Sequence, residues 1–116
     1  MSSINCVLLN NSFQWKLIGS ATGTTPITLP SNFSEILVIV KTDDEFYNFN
    51  IPKLYLDETD KSFCHGKGLN ISGVVYLSQI RILISTNNVA LRDARGSRND
   101  SSIDNTSTAI ITAYYR

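Results

Sequence analysis

The chain has 116 residues, with ten basic and ten acidic side chains that cancel, one histidine and two cysteines. That length suits a single domain able to bury roughly two thirds of its unfolded surface, and a neutral chain carries no overall field to draw in nucleic acid or an anionic membrane. The longest apolar stretch falls far short of the roughly 20 residues of a membrane helix, and residues 1–6 lack the basic start of a secretory leader, so neither membrane insertion nor a signal peptide is expected.

No window of a dozen residues repeats apolar positions at helical spacing without Gly, Pro or a β-branched cluster intervening, and strands are expected throughout. They fall at 6–9, 13–20, 27–29, 35–42, 47–55, 62–67, 71–78, 79–85, 90–92 and 108–116. Breakers separate them: the Gly- and Thr-rich run 19–26, Leu29-Pro30-Ser31-Asn32, the acidic run 57–60, Thr86-Asn87-Asn88, and a long polar stretch over 93–105 that reads as a loop. Pro52 cannot donate to a sheet ladder, which marks an edge strand or a bend there. Turn signals about every ten residues predict an all-β, antiparallel β-sandwich of jelly-roll type, with residues 1–12 as a short N-terminal strand or arm and 13–116 as the sandwich domain.

The run Ile36-Leu37-Val38-Ile39-Val40 is the most informative segment. Successive strand side chains point to opposite faces, so this run has no face suited to water. Near the carboxyl end Ala109, Ile111, Ala113 and Tyr115 share one parity while Ile110 and Tyr114 fall on the other. One small domain has one core, so the second apolar face requires cover from a closely packed second sheet or from another copy of the chain. Ile36, Val38, Val40, Ile110, Ile111, Tyr114 and Tyr115 are accordingly expected at an oligomer or partner interface.

Chemistry is thinly represented. The acids cluster as Asp43-Asp44-Glu45 and as Asp57-Glu58-Thr59-Asp60, where turns are expected and solvation is the simplest fate; neither run has the spacing of a known calcium loop. His65 follows Cys64, and neighbours on a strand point apart, which argues against a Cys/His catalytic pair. Two cysteines with one histidine fall short of a zinc set, and free thiols are expected over a Cys6–Cys64 bridge. No catalytic residue, metal or cofactor is therefore assigned. Arg92, Arg95 and Arg98 form a basic group among aspartates that could grip a phosphate or an acidic sugar, and with Asp43, Asp44 and Tyr47 they are the candidate surface-ligand residues. Trp15 alternates with Phe13 and Leu17, which suggests a core tryptophan; Tyr47, Tyr55 and Tyr76 are the candidates for exposed aromatic contacts.

The succession Trp15-Lys16-Leu17-Ile18-Gly19-Ser20-Ala21-Thr22-Gly23-Thr24-Thr25, Ile27-Thr28-Leu29-Pro30, Phe33-Ser34-Glu35-Ile36-Leu37-Val38, Asn50-Ile51-Pro52 and Tyr114-Tyr115-Arg116 resembles a short β-rich domain of bacteriophage tail-associated virion proteins and of prophage genes in Gram-positive gut bacteria. The shared residues are scaffold positions. The resemblance implies a trimeric, non-enzymatic head domain of a phage appendage, located in the virion after assembly in the bacterial cytoplasm. Its implied partners are further copies of itself, other virion proteins and host cell-surface polysaccharide. A monomeric carbohydrate-binding module is the alternative.

Overall fold

The computed structural model describes residues 14–43, 45–99 and 101–116. The expected strand at 6–9, Cys6, Phe13 and Asp44 lie outside the described residues. Among the described residues nine strands and one short 3-10 turn follow in chain order: β1 Lys16–Thr22, β2 Ile27–Thr28, β3 Glu35–Lys41, β4 Phe46–Pro52, the turn Lys53–Tyr55, β5 Lys61–Ile71, β6 Val74–Ile84, β7 Asn88–Arg98, β8 Ser101–Asp104 and β9 Ile110–Tyr115. They form two antiparallel sheets. The first, sheet A, has the order β1-β9-β3-β4; the second, sheet B, has the order β2-β7-β6-β5 with β8 also on β7.

Alternation explains the core. Ile36, Val38 and Val40 of β3 and Ile111 of β9 all have 0% exposure, and they share one cluster with Phe49 and Ile51 of β4 and Ile80, Ile82 and Ile84 of β6. Each such side chain contributes roughly 1.5–3 kcal/mol on leaving water. These four residues therefore face the subunit's own second sheet, which corrects their expected place at an oligomer interface. Tyr115 likewise packs against this core from partial burial. The opposite parity faces outward. Across sheet A the register sets Leu17, Tyr114, Leu37 and Asn50 in one outward row, Ser20, Thr112, Ile39 and Asn48 in the next, and Thr22, Ile110, Lys41 and Phe46 in the third.

Bulges set two faces that alternation alone misassigns. In β1, Leu17 pairs with Tyr114 and Gly19 with Ala113, so Ile18 is the extra residue. Leu17 is thus turned outward and exposed, while Ile18 packs on the core. Trp15 is only half-buried, its ring 4.2 Å from the Arg116 guanidinium. In β7 a bulge opposite Arg81 and Ile82 leaves Arg92 unpaired, so Leu91 points inward and Asp93 outward although both are odd-numbered.

Sheet B is the longer of the two. From Val74 onward the expected strands 71–78 and 79–85 are one continuous β6, Ile71 being the end of β5, and the expected loop at 93–105 is the end of β7 plus β8. A two-residue turn at Ser72 and Gly73, with φ of 52° and 82°, closes the β5–β6 hairpin. Asn99, at φ 45°, donates its N–H to the Val75 carbonyl at 3.0 Å, and its Oδ1 accepts the Val75 N–H at 3.0 Å. These turns carry sheet B past the end of sheet A, and the molecule measures 55 × 35 × 22 Å.

Candidate functional site

The overhang of sheet B leaves part of its inner face without a sheet above it. Register places three inward rows there: Lys67, Ser78, Gly96 and Ile103; then Leu69, Tyr76, Arg98 and Ser101; then Ile71 and Val74. With the β3–β4 turn as its far wall, this surface forms a groove of about 210 Å³ lined by Thr42, Tyr47, Leu69, Ile71, Tyr76 and Ile103 among others. Ile71 is 57% exposed, and Leu69 and Ile103 are close behind. Isolated apolar residues on a surface are ordinary, whereas a contiguous group on a concave sheet face marks a contact site.

At the base of the groove the polar groups are tied together. Tyr47 is 4% exposed; its ring lies in the core and its hydroxyl emerges at the groove, where it donates to Glu45 Oε2. Ser78 Oγ lies 2.6 Å from the same tyrosine oxygen, and Lys67 Nζ is 2.7 Å from Glu45 Oε1. Burial pushes the Glu45 carboxyl up, but the hydrogen bonds from Lys67 and Tyr47 and the lysine charge outweigh it and hold the group below its ordinary value. Burial, and then the Glu45 carboxylate, raise the Tyr47 phenol. His65 sets its ring edge-on to Tyr47 and Phe49, with centroids 5.3 and 6.0 Å apart, while Cys64 is a free, exposed thiol. The arrangement positions and neutralises charge.

The candidate ligand residues are not brought together. Tyr47 is a buried β4 residue, which corrects its placement on a surface loop. Asp43 is exposed beside the β3–β4 turn. The three arginines stand on a strand and not on a loop: Arg92 at the bulge, Arg95 outward with Nε 3.8 Å from Asp104 Oδ2, and Arg98 inward with its guanidinium 5.5 Å from the Tyr76 ring centre. Asp93 is 4% exposed and bonded twice by Arg81 Nε, at 2.9 and 3.1 Å, with Arg81 Nη2 closing the pair. Arg81 holds the Asp93 carboxyl below its ordinary range.

Sequence reasoning missed Glu45, Lys67 and Ser78. Lys67 and Ser78 are opposed across the β5–β6 register. Only knowledge of that register could have paired them.

A second surface is the outer face of sheet A. Phe46 is 70% exposed, Leu17 and Ile110 are also exposed, and Leu37, Ile39 and Tyr114 are half-buried between them. Of the seven expected interface residues, Ile110 and Tyr114 stand on this outward face. Comparison with family models, with curated proteins and with solved structures finds no match.

Proposed function

We propose that this chain is a non-enzymatic assembly domain, a head-type domain of a bacteriophage tail or fibre appendage that packs against copies of itself and neighbouring virion proteins. The observation that carries the reading is the outward apolar surface of sheet A, running from Leu17 through Leu37 and Ile39 to Ile110 and Phe46. Ser20, Thr112 and Asn48 share the middle row with Ile39, and Lys41 stands between Ile110 and Phe46, so the face mixes apolar and polar groups in the way a non-obligate protein contact does. The resemblance noted above supports the virion setting and a homotrimer around that face. Native mass spectrometry of the full chain tests it. A homo-oligomer is expected, and a clean monomer at micromolar concentration with no partner present argues against self-assembly.

One observation favours the second reading, a carbohydrate-binding module: Tyr47 and Tyr76 both line the groove, beside Glu45, Lys67 and Asn105. Against it, Arg98 sits over the Tyr76 ring and aliphatic side chains dominate the exposed part of the groove. Glycan-array binding that is lost in Tyr76→Ala would establish this reading in place of the first.

A further inference from the structure

Sheet B ends on β5, and we infer that this edge pairs with the β5 edge of a second copy, antiparallel and two-fold about Gly66, so that sheet B runs unbroken through both subunits. The inference rests on the reading of the chain as an assembly domain and uses a surface separate from the outer face of sheet A.

The other edges are blunted and this one is not. A sheet edge presents a row of unpaired N–H and C=O groups, and proteins shorten, kink or charge such strands to keep neighbours off. β1 carries the bulge at Ile18, β4 ends on Pro52, and β2 and β8 have only two and four residues. β5 has 11 residues, no proline and an unbroken register with β6, and among the described residues no strand lies on its other side. Its two lysines are neutralised within the subunit, Lys61 with Nζ 3.1 Å from Asp57 Oδ2 and Lys67 by Glu45.

The free groups match those of a second copy. The turn at Ser72 and Gly73 makes Ile71 and Val74 a hydrogen-bonded pair, so alternation commits the odd-numbered residues of β5 to β6 and turns the N–H and C=O groups of Ser62, Cys64, Gly66, Gly68 and Asn70 to the open edge. None of these five is bulky or charged. Two antiparallel copies connect their free groups only where even-numbered residues oppose even-numbered ones. Gly66 is the midpoint of Lys61–Ile71, so overlap along the whole strand also satisfies the hydrogen-bond phase: Ser62 meets Asn70, Cys64 meets Gly68 and Gly66 meets itself, closing roughly ten backbone bonds. On the inner face the same register sets Phe63 opposite Leu69 of the second copy, which gives that exposed leucine an aromatic neighbour. This self-match favours a second copy over an unrelated extended peptide.

Sedimentation velocity and amide exchange on the full chain from about 1 to about 100 μM test the inference. Wild type is expected to gain mass with concentration, while the amides of Ser62, Cys64, Gly66, Gly68 and Asn70 gain protection and their odd-numbered neighbours, already bonded to β6, do not. Gly66→Pro is expected to weaken the association at least about tenfold, because it removes an N–H at the centre of the contact and none from the subunit's own ladder. A Cβ at Gly66 would stand 3.4 Å from the Ser78 carbonyl oxygen, an ordinary contact, and a melting curve establishes that the variant is folded. Should it not fold, the alternating exchange pattern of the wild type carries the test. Phe46→Asp, on the outer face of sheet A, is expected to leave the edge contact intact. If Phe46→Asp dissociates the chain and Gly66→Pro does not, the inference is overturned and the proposed function survives. Even-numbered β5 amides that are fully protected in dilute solution also overturn it, since the edge is then filled within the subunit. A wild-type chain that stays monomeric across the range overturns both.

Discussion

β6 is one strand with two fates. Its carboxyl half sends Ile80, Ile82 and Ile84 into a core where exposure is at most 2%, whereas on the same face its amino half carries Tyr76 and Val74, which are only half-buried. Composition does not separate the two halves, since both are rich in β-branched and leucine side chains. Cover does. Sheet A ends at the β3–β4 turn, and from there the same face passes from sealed core to open groove. An apolar pattern therefore states that a face must be covered, and the topology states by what.

The sharpest way to break this comparison is to truncate one residue in each half. Ile82→Ala is expected to cost about 2–5 kcal/mol, because the cavity is sealed on every side, while Leu69→Ala costs under about 0.5 kcal/mol in the isolated subunit. Urea titrations at low protein concentration measure both, and equal losses would erase the distinction between the regions.

Next in size is the pair on the outward side of sheet B. Arg81→Met leaves the nearly buried Asp93 without its partner, and the folding equilibrium constant at neutral pH should fall by about tenfold or more. The sign with pH follows from the direction of the shift. The folded-state value of Asp93 lies below its ordinary value, so the pair's stabilisation is fully present above that ordinary value and is lost as pH falls through the lowered one. The difference between wild type and Arg81→Met should accordingly shrink in acid, as denaturation at neutral and acidic pH will show.

Gly96 tests how the overhang is built. A methyl group there would stand 2.6 Å from the Leu77 carbonyl oxygen, a backbone atom that cannot swing aside, whereas at Gly68 it would meet the mobile end of the Leu77 side chain at 3.2 Å. Gly96→Ala should cost about 1–3 kcal/mol, with the loss concentrated in faster amide exchange around residues 74–78, and Gly68→Ala should cost less. A smaller effect is expected at the base of the groove. Tyr47→Phe removes one hydrogen bond to Glu45, costs about 0.5–1.5 kcal/mol, and lets the Glu45 carboxyl rise toward its ordinary value in an NMR titration.

Much of the sandwich was legible in the sequence. The parity of Ile36, Val38 and Val40 and of Ala109, Ile111 and Ala113 groups residues that share one face of two strands central in sheet A. Which of two apolar faces the subunit itself would cover was not legible, since that depends on the side on which sheet B packs, and from the sequence Ile36, Val38, Val40 and Ile111 are accordingly expected at an interface. The overhang was obscured for another reason. Residues 93–105 are polar because their strands are largely exposed, and a polar strand held by backbone pairing leaves no alternation to read. The arginine group dissolved because a strand separates residues three apart onto opposite faces, and because the bulge at Arg92 reverses the count. Glu45 stood in view among its acidic neighbours, but its partners Lys67 and Ser78 are joined to it only by folding.

Amide hydrogen exchange along β6 tests the central claim most directly. Protection at Ile80, Ile82 and Ile84 should be high, and protection at residues 74–78 clearly lower, in dilute solution. Equal protection in both halves would contradict the claim that cover by sheet A separates the two ends of the strand.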